Sequence, residues 1–323
     1  MKIVITGGAG FIGSALALKL QEENHEILII DKMRSNAKFE NGNLESFGHF
    51  KNLLDFKGEL YVGDINDHQT FEVIRDFKPD AIFHKAAISD TTVYDQTKVL
   101  ATNLNTFKQF IQLSLSLNAK LIYASSASVY GDTPSPQVVG KGEAPKNPYA
   151  FSKLMMDNLA QKYFDKMHIV GLRYFNVYGK GEYYKNTTAS MILQFGLQIL
   201  SNKNPRLFEG SDRIYRDFVY IKDVINANLC SLDAKSGVYN VATAVPRTFQ
   251  DIVDILQHKL CTNLTCEYIK NPYVKAYQFH TQAQLSEIFT YRPQFNLEDG
   301  IEDYLPEIKR IFEKEMNARL FKF

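Results

Sequence analysis

This 323-residue sequence predicts a doubly wound α/β fold, a parallel sheet covered by helices on both faces. Three observations point to it. Short apolar runs and helix-like stretches alternate along the first half of the chain. The runs are too continuous for strands buried on one face only. A glycine string follows the first run at once, at the turn from strand to helix.

Lys2-Ile3-Val4-Ile5-Thr6 is the first strand, β-branched and short. Gly7-Gly8-Ala9-Gly10-Phe11-Ile12-Gly13 satisfies Gly-x-Gly-x-x-Gly, and a helix carrying Leu16, Leu18 and Leu20 follows. The second strand, Glu26 to Ile30, closes on Asp31, 18 residues past Gly13. Glycines between a strand and a helix let the backbone approach a pyrophosphate, whose charge sits on the helix N-terminus. This makes the first part a Rossmann-type dinucleotide-binding domain. Gly7, Gly10, Phe11, Ile12 and Gly13 are its candidate phosphate loop. A carboxylate at Asp31 normally holds ribose hydroxyls and favours NAD. Lys32, Arg34 and Lys38 follow closely, and such a basic cluster suits a 2′-phosphate, which favours NADP. Both cofactors stay open, as does a solvated basic loop.

Residues 36–58 read as a long loop or short helix. The third strand, Leu60 to Ile65, ends where a cofactor adenine would lie, with Asp64 and Ile65 as candidate contacts. After an amphipathic helix comes Ala81-Ile82-Phe83-His84, then Lys85-Ala86-Ala87-Ile88-Ser89, whose small residues leave room for a cofactor backbone. His84 reads as a structural histidine. Asn103, on the next helix, is a candidate contact of the cofactor segment. The fifth strand, Lys120 to Ala124, delivers Ser125 and Ser126 to the carboxyl edge of the sheet, where ligands bind in such folds. Residues 131–146 follow as a Gly-, Pro- and Lys-rich loop expected to be exposed and mobile. Asn147 then caps a helix whose first residue is Pro148.

Tyr149 and Lys153 lie four apart and share one face of that helix. With Ser126 they form a recognisable acid/base device. A free phenol, with its pKa near 10, is a poor base at neutral pH. A neighbouring ammonium is expected to favour the phenolate, while the serine hydroxyl holds the same substrate oxygen. Tyr-x-x-x-Lys alone is usually an ordinary helix face; the preceding glycine loop and serine give it meaning.

Ile169 to Gly179 reads as one further strand running into a polar site. Past it the alternation fails: a helix (Met191 to Leu200), a strand-and-helix unit from Arg216 to Val224, a helix (Phe249 to Leu260), a strand (Glu267 to Ile269) and a charged final helix. A smaller α/β substrate-binding domain of about 176–215 and 249–323 is therefore expected beside a dinucleotide-binding domain of 1–175 plus about 216–248.

Hydrophobic residues make up 45% and charged residues 23%, with a net charge of +1, so bulk charge offers nothing to nucleic acid or membrane. Three cysteines form neither an even framework nor a Cys-x-x-Cys site, and seven scattered histidines show no metal-ligand spacing. No metal is expected. With no leader and no apolar stretch of spanning length, a cytoplasmic protein is expected.

Thr6 to Gly13, Ser125-Ser126-Ala127-Ser128-Val129-Tyr130-Gly131, Tyr149-x-x-x-Lys153 and Arg216-Asp217-Phe218-Val219-Tyr220-Ile221-x-Asp223-Val224 resemble the extended short-chain dehydrogenase/reductases acting on nucleotide sugars, over nearly the whole chain. More narrowly, Ile88 to Thr92, Leu172 to Gly179, Leu207-Phe208-Glu209-Gly210-Ser211 and Tyr277-Gln278-x-x-Thr281-Gln282 are similar to the ADP-heptose 6-epimerase branch, which supplies heptose to the lipopolysaccharide core. That resemblance implies catalytic roles for Ser126, Tyr149 and Lys153, with Lys185 as a second base. It implies NADP, with Lys38 at the 2′-phosphate, Lys85 to Ser89, Val177 and Lys185 near the cofactor, and an ADP-heptose substrate. Substrate contacts would come from Ser89, Ser126, Asn176, Thr187, Gln194, Phe208, Glu209, Gly210, Ser211, Arg216 and Tyr277. A homo-oligomer, typically a pentamer, is implied as well.

Lys85 stands where that branch has a glutamate, and Thr187 and Gln194 where it has serine and histidine. The alternatives are a nucleotide-sugar 4-epimerase using the same triad and a catalytically silent NADP-binding protein. A 4,6-dehydratase is disfavoured because Ala127 and Ser128, not a carboxylic acid, follow Ser126.

Overall fold

The computed structural model describes residues 1–33, 49–271 and 280–316. Strands β1 (Lys2–Thr6), β2 (Glu26–Asp31), β3 (Glu59–Val62), β4 (Ala81–His84), β5 (Lys120–Ser126) and β6 (Ile169–Tyr174) all join one sheet. The chain then makes β7 (Asn176–Tyr178), β8 (Arg206–Phe208) and β9 (Tyr215–Tyr220) before β10 (Gly237–Val241) returns beside β6. The sheet order is β3-β2-β1-β4-β5-β6-β10, with neighbours parallel. Strand order reverses between β1 and β4, which opens a crevice at their carboxyl ends.

The helices are α1 (Phe11–Glu22), α2 (His68–Phe77), α3 (Gln96–Leu100), α4 (Thr106–Leu117), α5 (Pro148–Gln161), α6 (Met191–Leu200), α7 (Ile221–Cys230), α8 (Phe249–Leu260) and α9 (Leu297–Ile311). Side chains of a strand alternate faces, and here both faces are apolar. Ile3 and Ile5 pack with Leu16 and Leu20 of α1 and Val224 of α7. Val4 between them packs on the other face, with Phe71 of α2, Phe107 and Phe110 of α4 and Met156 of α5. The first of these cores continues without interruption into Tyr178 of β7, Phe218 of β9, Ile192 of α6, Leu256 of α8 and Ile301 of α9.

Outside the large sheet the described residues form two short sheets. β9 pairs in parallel with β7 and antiparallel with β11 (Pro246–Thr248), while β8 pairs with β12 (Glu267–Ile269). The run from Ile169 to Gly179 is thus not one strand. The Phe175 amide still bonds Val241, but Val177 N–H donates back to the Phe175 carbonyl at 2.9 Å, a three-residue turn that sends β7 into another sheet. The third strand also stops early, at Val62, because Asp64 turns the chain by accepting from the Asn66 amide at 3.0 Å.

The expected mobile loop is tied down. Gln137 is fully buried; its amide donates to the Gln282 carbonyl at 2.8 Å, and its own carbonyl accepts from Asn240 Nδ2 and the Gln284 amide. No helix among the described residues is long and apolar enough to cross a membrane.

Candidate active site

The crevice begins at the glycine string. Gly7 has φ +67°, and a Cβ there would lie 2.7 Å from the Ala86 amide nitrogen. A Cβ on Gly13 would lie 2.2 Å from the Gly7 carbonyl oxygen, so α1 meets the loop at a distance only glycine allows. Gly10 caps α1 without a side-chain acceptor, the arrangement in which first-turn amides can receive an anion. Phe11 is buried behind them. Asp31, at the end of β2, accepts from the Ala9 amide at 3.0 Å and the Met33 amide at 2.8 Å. Lys32 lies 3.5 Å from Asp64, and Ile65 is buried in the core beneath. Lys38 and Tyr277, with Arg34, lie outside the described residues, as does the side chain of Thr187.

Residues 85–89 leave β4 along the same crevice. Asn103, buried in a π-helical turn (Ala101–Asn105) between α3 and α4, accepts from the Ile88 amide at 2.9 Å and donates to the Ile88 carbonyl at 3.1 Å. Its carboxamide also donates to Ser152 Oγ at 3.0 Å, fastening Ala86, Ala87 and Ile88 to α5. Ser89 is exposed. The Lys85 ammonium points elsewhere, donating to the Tyr174 hydroxyl at 3.0 Å, and burial, with Lys153 adding to it, pushes its pKa well down. Its backbone, not its charge, borders the crevice. Close-approach glycines, free helix amides and a carboxylate at the β2 end fit a nicotinamide dinucleotide.

The serine, tyrosine and lysine converge at the next strand end. Asn147 caps α5 by accepting from the Ala150 amide at 2.8 Å, with Pro148 at its start. Ser126 Oγ accepts from the Ser128 amide at 3.2 Å and from Ser128 Oγ at 3.0 Å, and it lies near enough to the Tyr149 hydroxyl to act on it electrostatically. Lys153 is 2% exposed; its ammonium donates to the Ala124 carbonyl at 2.7 Å and sits 5.8 Å from the Tyr149 ring centroid. The electrostatics depart from the expectation. Burial raises the Tyr149 phenol, opposed by the neighbouring Ser126 hydroxyl, while burial lowers Lys153 to about 8 against the pull of Asp157. In this geometry the lysine spends its charge on a backbone carbonyl, so the phenol is governed by Ser126 and by desolvation.

A buried network underlies this set, and the sequence reading missed it. Asp157, one turn beyond Lys153, accepts from the Tyr123 hydroxyl at 2.8 Å, Ser125 Oγ at 2.9 Å and Arg173 Nε at 2.9 Å. Arg173 also bonds Glu143 of the 131–146 loop at 2.9 Å and stacks 4.9 Å from the Tyr130 centroid. Arg173 was the available signal: a guanidinium in an otherwise apolar strand needs an acid.

Lys185 lies on a 3-10 segment, Glu182–Thr188, with its ammonium 5.6 Å from the Phe11 ring centroid. Burial lowers its pKa, and Glu182 pulls the other way. A side chain from the segment after β7 therefore reaches the residue that opens α1. Asn176 is exposed at the start of β7 and Val177 is half-buried. Gln194 donates to the Ala189 carbonyl at 2.7 Å. Phe208 ends β8, Glu209 is exposed, Gly210 has φ +75° and Ser211 Oγ is buried with no hydrogen-bond partner among the described residues. Arg216 is 6% exposed, donating to the Tyr215 carbonyl at 2.9 Å, with its guanidinium 5.9 Å from the Phe249 centroid.

The NAD dependent epimerase/dehydratase family model matches residues 3–242. The chain is 33% identical over 321 residues to the ADP-L-glycero-D-manno-heptose-6-epimerase of Brachyspira hyodysenteriae, covering 95% of this chain and 98% of that one. It superimposes on the crystal structure of the Helicobacter pylori ADP-L-glycero-D-manno-heptose-6-epimerase with a TM-score of 0.87 at 46% identity, covering 95% and 96% of the two chains. The UDP-glucuronic acid 4-epimerase of Bacillus cereus, solved with UDP-glucuronic acid and NAD, matches with a TM-score of 0.82 at 26% identity, over 96% and 100%.

Proposed function

The chain belongs to the NAD dependent epimerase/dehydratase family, and from that premise we propose that it is an ADP-glyceromanno-heptose 6-epimerase, inverting C6 of ADP-D-glycero-D-manno-heptose. The observation that carries the reading is Lys185, a second basic side chain set against Phe11 of the glycine loop. Its likeness over nearly full length to epimerases of that name supports the substrate.

A bound nicotinamide dinucleotide supplies hydride acceptance and return. Ser126 donates a hydrogen bond to the C6 oxygen and fixes it. Tyr149, in its phenolate form, takes the hydroxyl proton, and Lys153 holds the nicotinamide ribose. The resulting 6-keto sugar turns over in the site and presents its other face. Lys185 then serves as the proton donor for that orientation, or as the acceptor in the reverse direction. The substrate ends at its starting oxidation level, so the dinucleotide has no need to leave. Arg216 holds the diphosphate through its planar fork, beside Asn176, Thr187, Gln194, Phe208, Glu209, Gly210, Ser211 and Tyr277.

Residues 1–175 with about 216–248 carry the dinucleotide, and the remainder carries the sugar. The dinucleotide is NADP, with Lys32 and Lys38 near the 2′-phosphate; the product feeds lipopolysaccharide core synthesis in the cytoplasm, and the working form is a homo-oligomer. The test is turnover of ADP-, UDP- and GDP-sugars followed by NMR. Epimerisation of the ADP-heptose without stoichiometric release of reduced dinucleotide is expected. Turnover of UDP-hexoses in its place would assign a 4-epimerase, and turnover of none a silent binding protein.

A further inference from the structure

We propose that Asn52 is a positioning residue for the reaction: its carboxamide fastens the segment carrying Lys185 to the glycine-rich loop. Asn52 sits on a short 3-10 helix (His49–Leu53), and its Nδ2 donates to the Ala9 carbonyl at 3.2 Å and to the Gly181 carbonyl at 3.2 Å. One amide group thus closes two segments far apart in sequence. No other side chain of its length offers two N–H donors on one atom with an uncharged head.

Both anchored segments are themselves fixed. The Ala9 amide is held by Asp31 at 3.0 Å. Gly181 has φ +97°, and a Cβ there would stand 3.5 Å from Asn52 Oδ1 and 3.6 Å from Phe11 Cδ2, so the three residues pack against one another. Next to it, buried Glu182 accepts from the Gly179 amide at 3.2 Å and from Ser190 Oγ at 2.7 Å. Lys185 follows Glu182 by three residues, one turn of the 3-10 segment, and so inherits its placement over Phe11. A second side chain of the same short helix grips that segment too, the Lys51 ammonium standing 5.7 Å from the Tyr184 centroid.

The inference rests on the two-base reading above, and the experiment separates the two. Holoenzyme carrying Asn52→Ala, Lys185→Ala or both is assayed for kcat, KM and retained dinucleotide. Asn52→Ala is expected to lower kcat about ten- to a hundredfold, as a displaced basic group does, with KM changed little. In the Lys185→Ala background the same substitution is expected to cost nothing further. An Asn52→Ala enzyme of full activity, or a loss of the same size with and without Lys185, overturns the proposal. Lys185→Ala alone reports on the two-base reading: full epimerisation by that variant sinks it independently of Asn52. If Asn52→Ala gives no folded protein, Asn52→Ser, which keeps a single donor, is read by the same non-additivity.

Discussion

Replacing Arg173 by Met tests whether the network beneath the catalytic set holds the site together. Arg173 is 2% exposed and its partner Asp157 4% exposed, so the pair is shielded from water and salt. Removing the guanidinium leaves the carboxylate hydrogen-bonded only by the hydroxyls of Tyr123 and Ser125, with the Lys153 ammonium acting on it from farther off. Breaking a buried ion pair by removing one partner costs about 3–5 kcal/mol. At about 2 °C per kcal/mol for a large chain, Tm falls by roughly 6–10 °C. Urea unfolding followed by circular dichroism gives the free energy, and proteolysis gives a local readout, because Glu143 loses its partner and the 131–146 loop should become cleavable. The double variant Arg173→Met/Asp157→Leu removes both charges of the pair and leaves the two hydroxyls without an acceptor, each costing about 1–3 kcal/mol, besides the Glu143 contact already lost in the single variant. It should be more stable than the sum of the single losses by more than about 1 kcal/mol. A loss below about 1 kcal/mol for Arg173→Met, or strict additivity, would show that the geometry has been misread.

Other outcomes follow from the same geometry. Lys153, held near 8 by burial against an ordinary 10.5, resists protonation in the folded state. Its contribution to stability is therefore fully present above about pH 10.5 and lost as pH falls through 8. The difference amounts to roughly 3 kcal/mol, and Lys153→Met should abolish that dependence in urea titrations at pH 8 and 10. If its ammonium supports catalysis, kcat/KM should fall as pH rises through about 8, and a profile flat to pH 10 would contradict this. Tyr149→Phe should lose a factor of about 10² to 10⁴ in kcat with substrate binding kept, measured by turnover and by substrate-induced thermal shift. Gly13→Ala drives a methyl into the Gly7 carbonyl and should abolish dinucleotide binding in a fluorescence titration. Binding at wild-type affinity would remove the glycine loop from the cofactor site.

Local rules reached far in this chain. The β1–α1 glycine turn, the Asn147-Pro148 start of α5 and Ser126 at the end of β5 were legible because each depends on neighbours in sequence. What escaped depends on contacts between distant segments. Nothing in Ile169 to Gly179 announces that the Phe175 turn will pass β7 to another sheet, since no glycine or proline breaks the run between Leu172 and Tyr178. Composition marked 131–146 as a free loop, but Gln137 and Glu143 find buried partners about a hundred residues and 30 residues away. Arg173 demanded an acid without saying which of 36 would answer. The phenol of Tyr149 was misjudged because helical spacing fixes the face a lysine occupies but not the carbonyl it turns towards.

The core that runs unbroken from Ile3 and Leu16 through Tyr178 and Phe218 to Ile301 bears on how the molecule moves. Two lobes with separate interiors can swing on a linker, but a shared interior would have to be torn open for any such swing. Cleaving the chain near residue 176 should therefore yield insoluble halves, not a working nucleotide binder. An enzyme built this way must admit and reorient its sugar through side chains and short surface segments, with the framework standing still around the turning ligand.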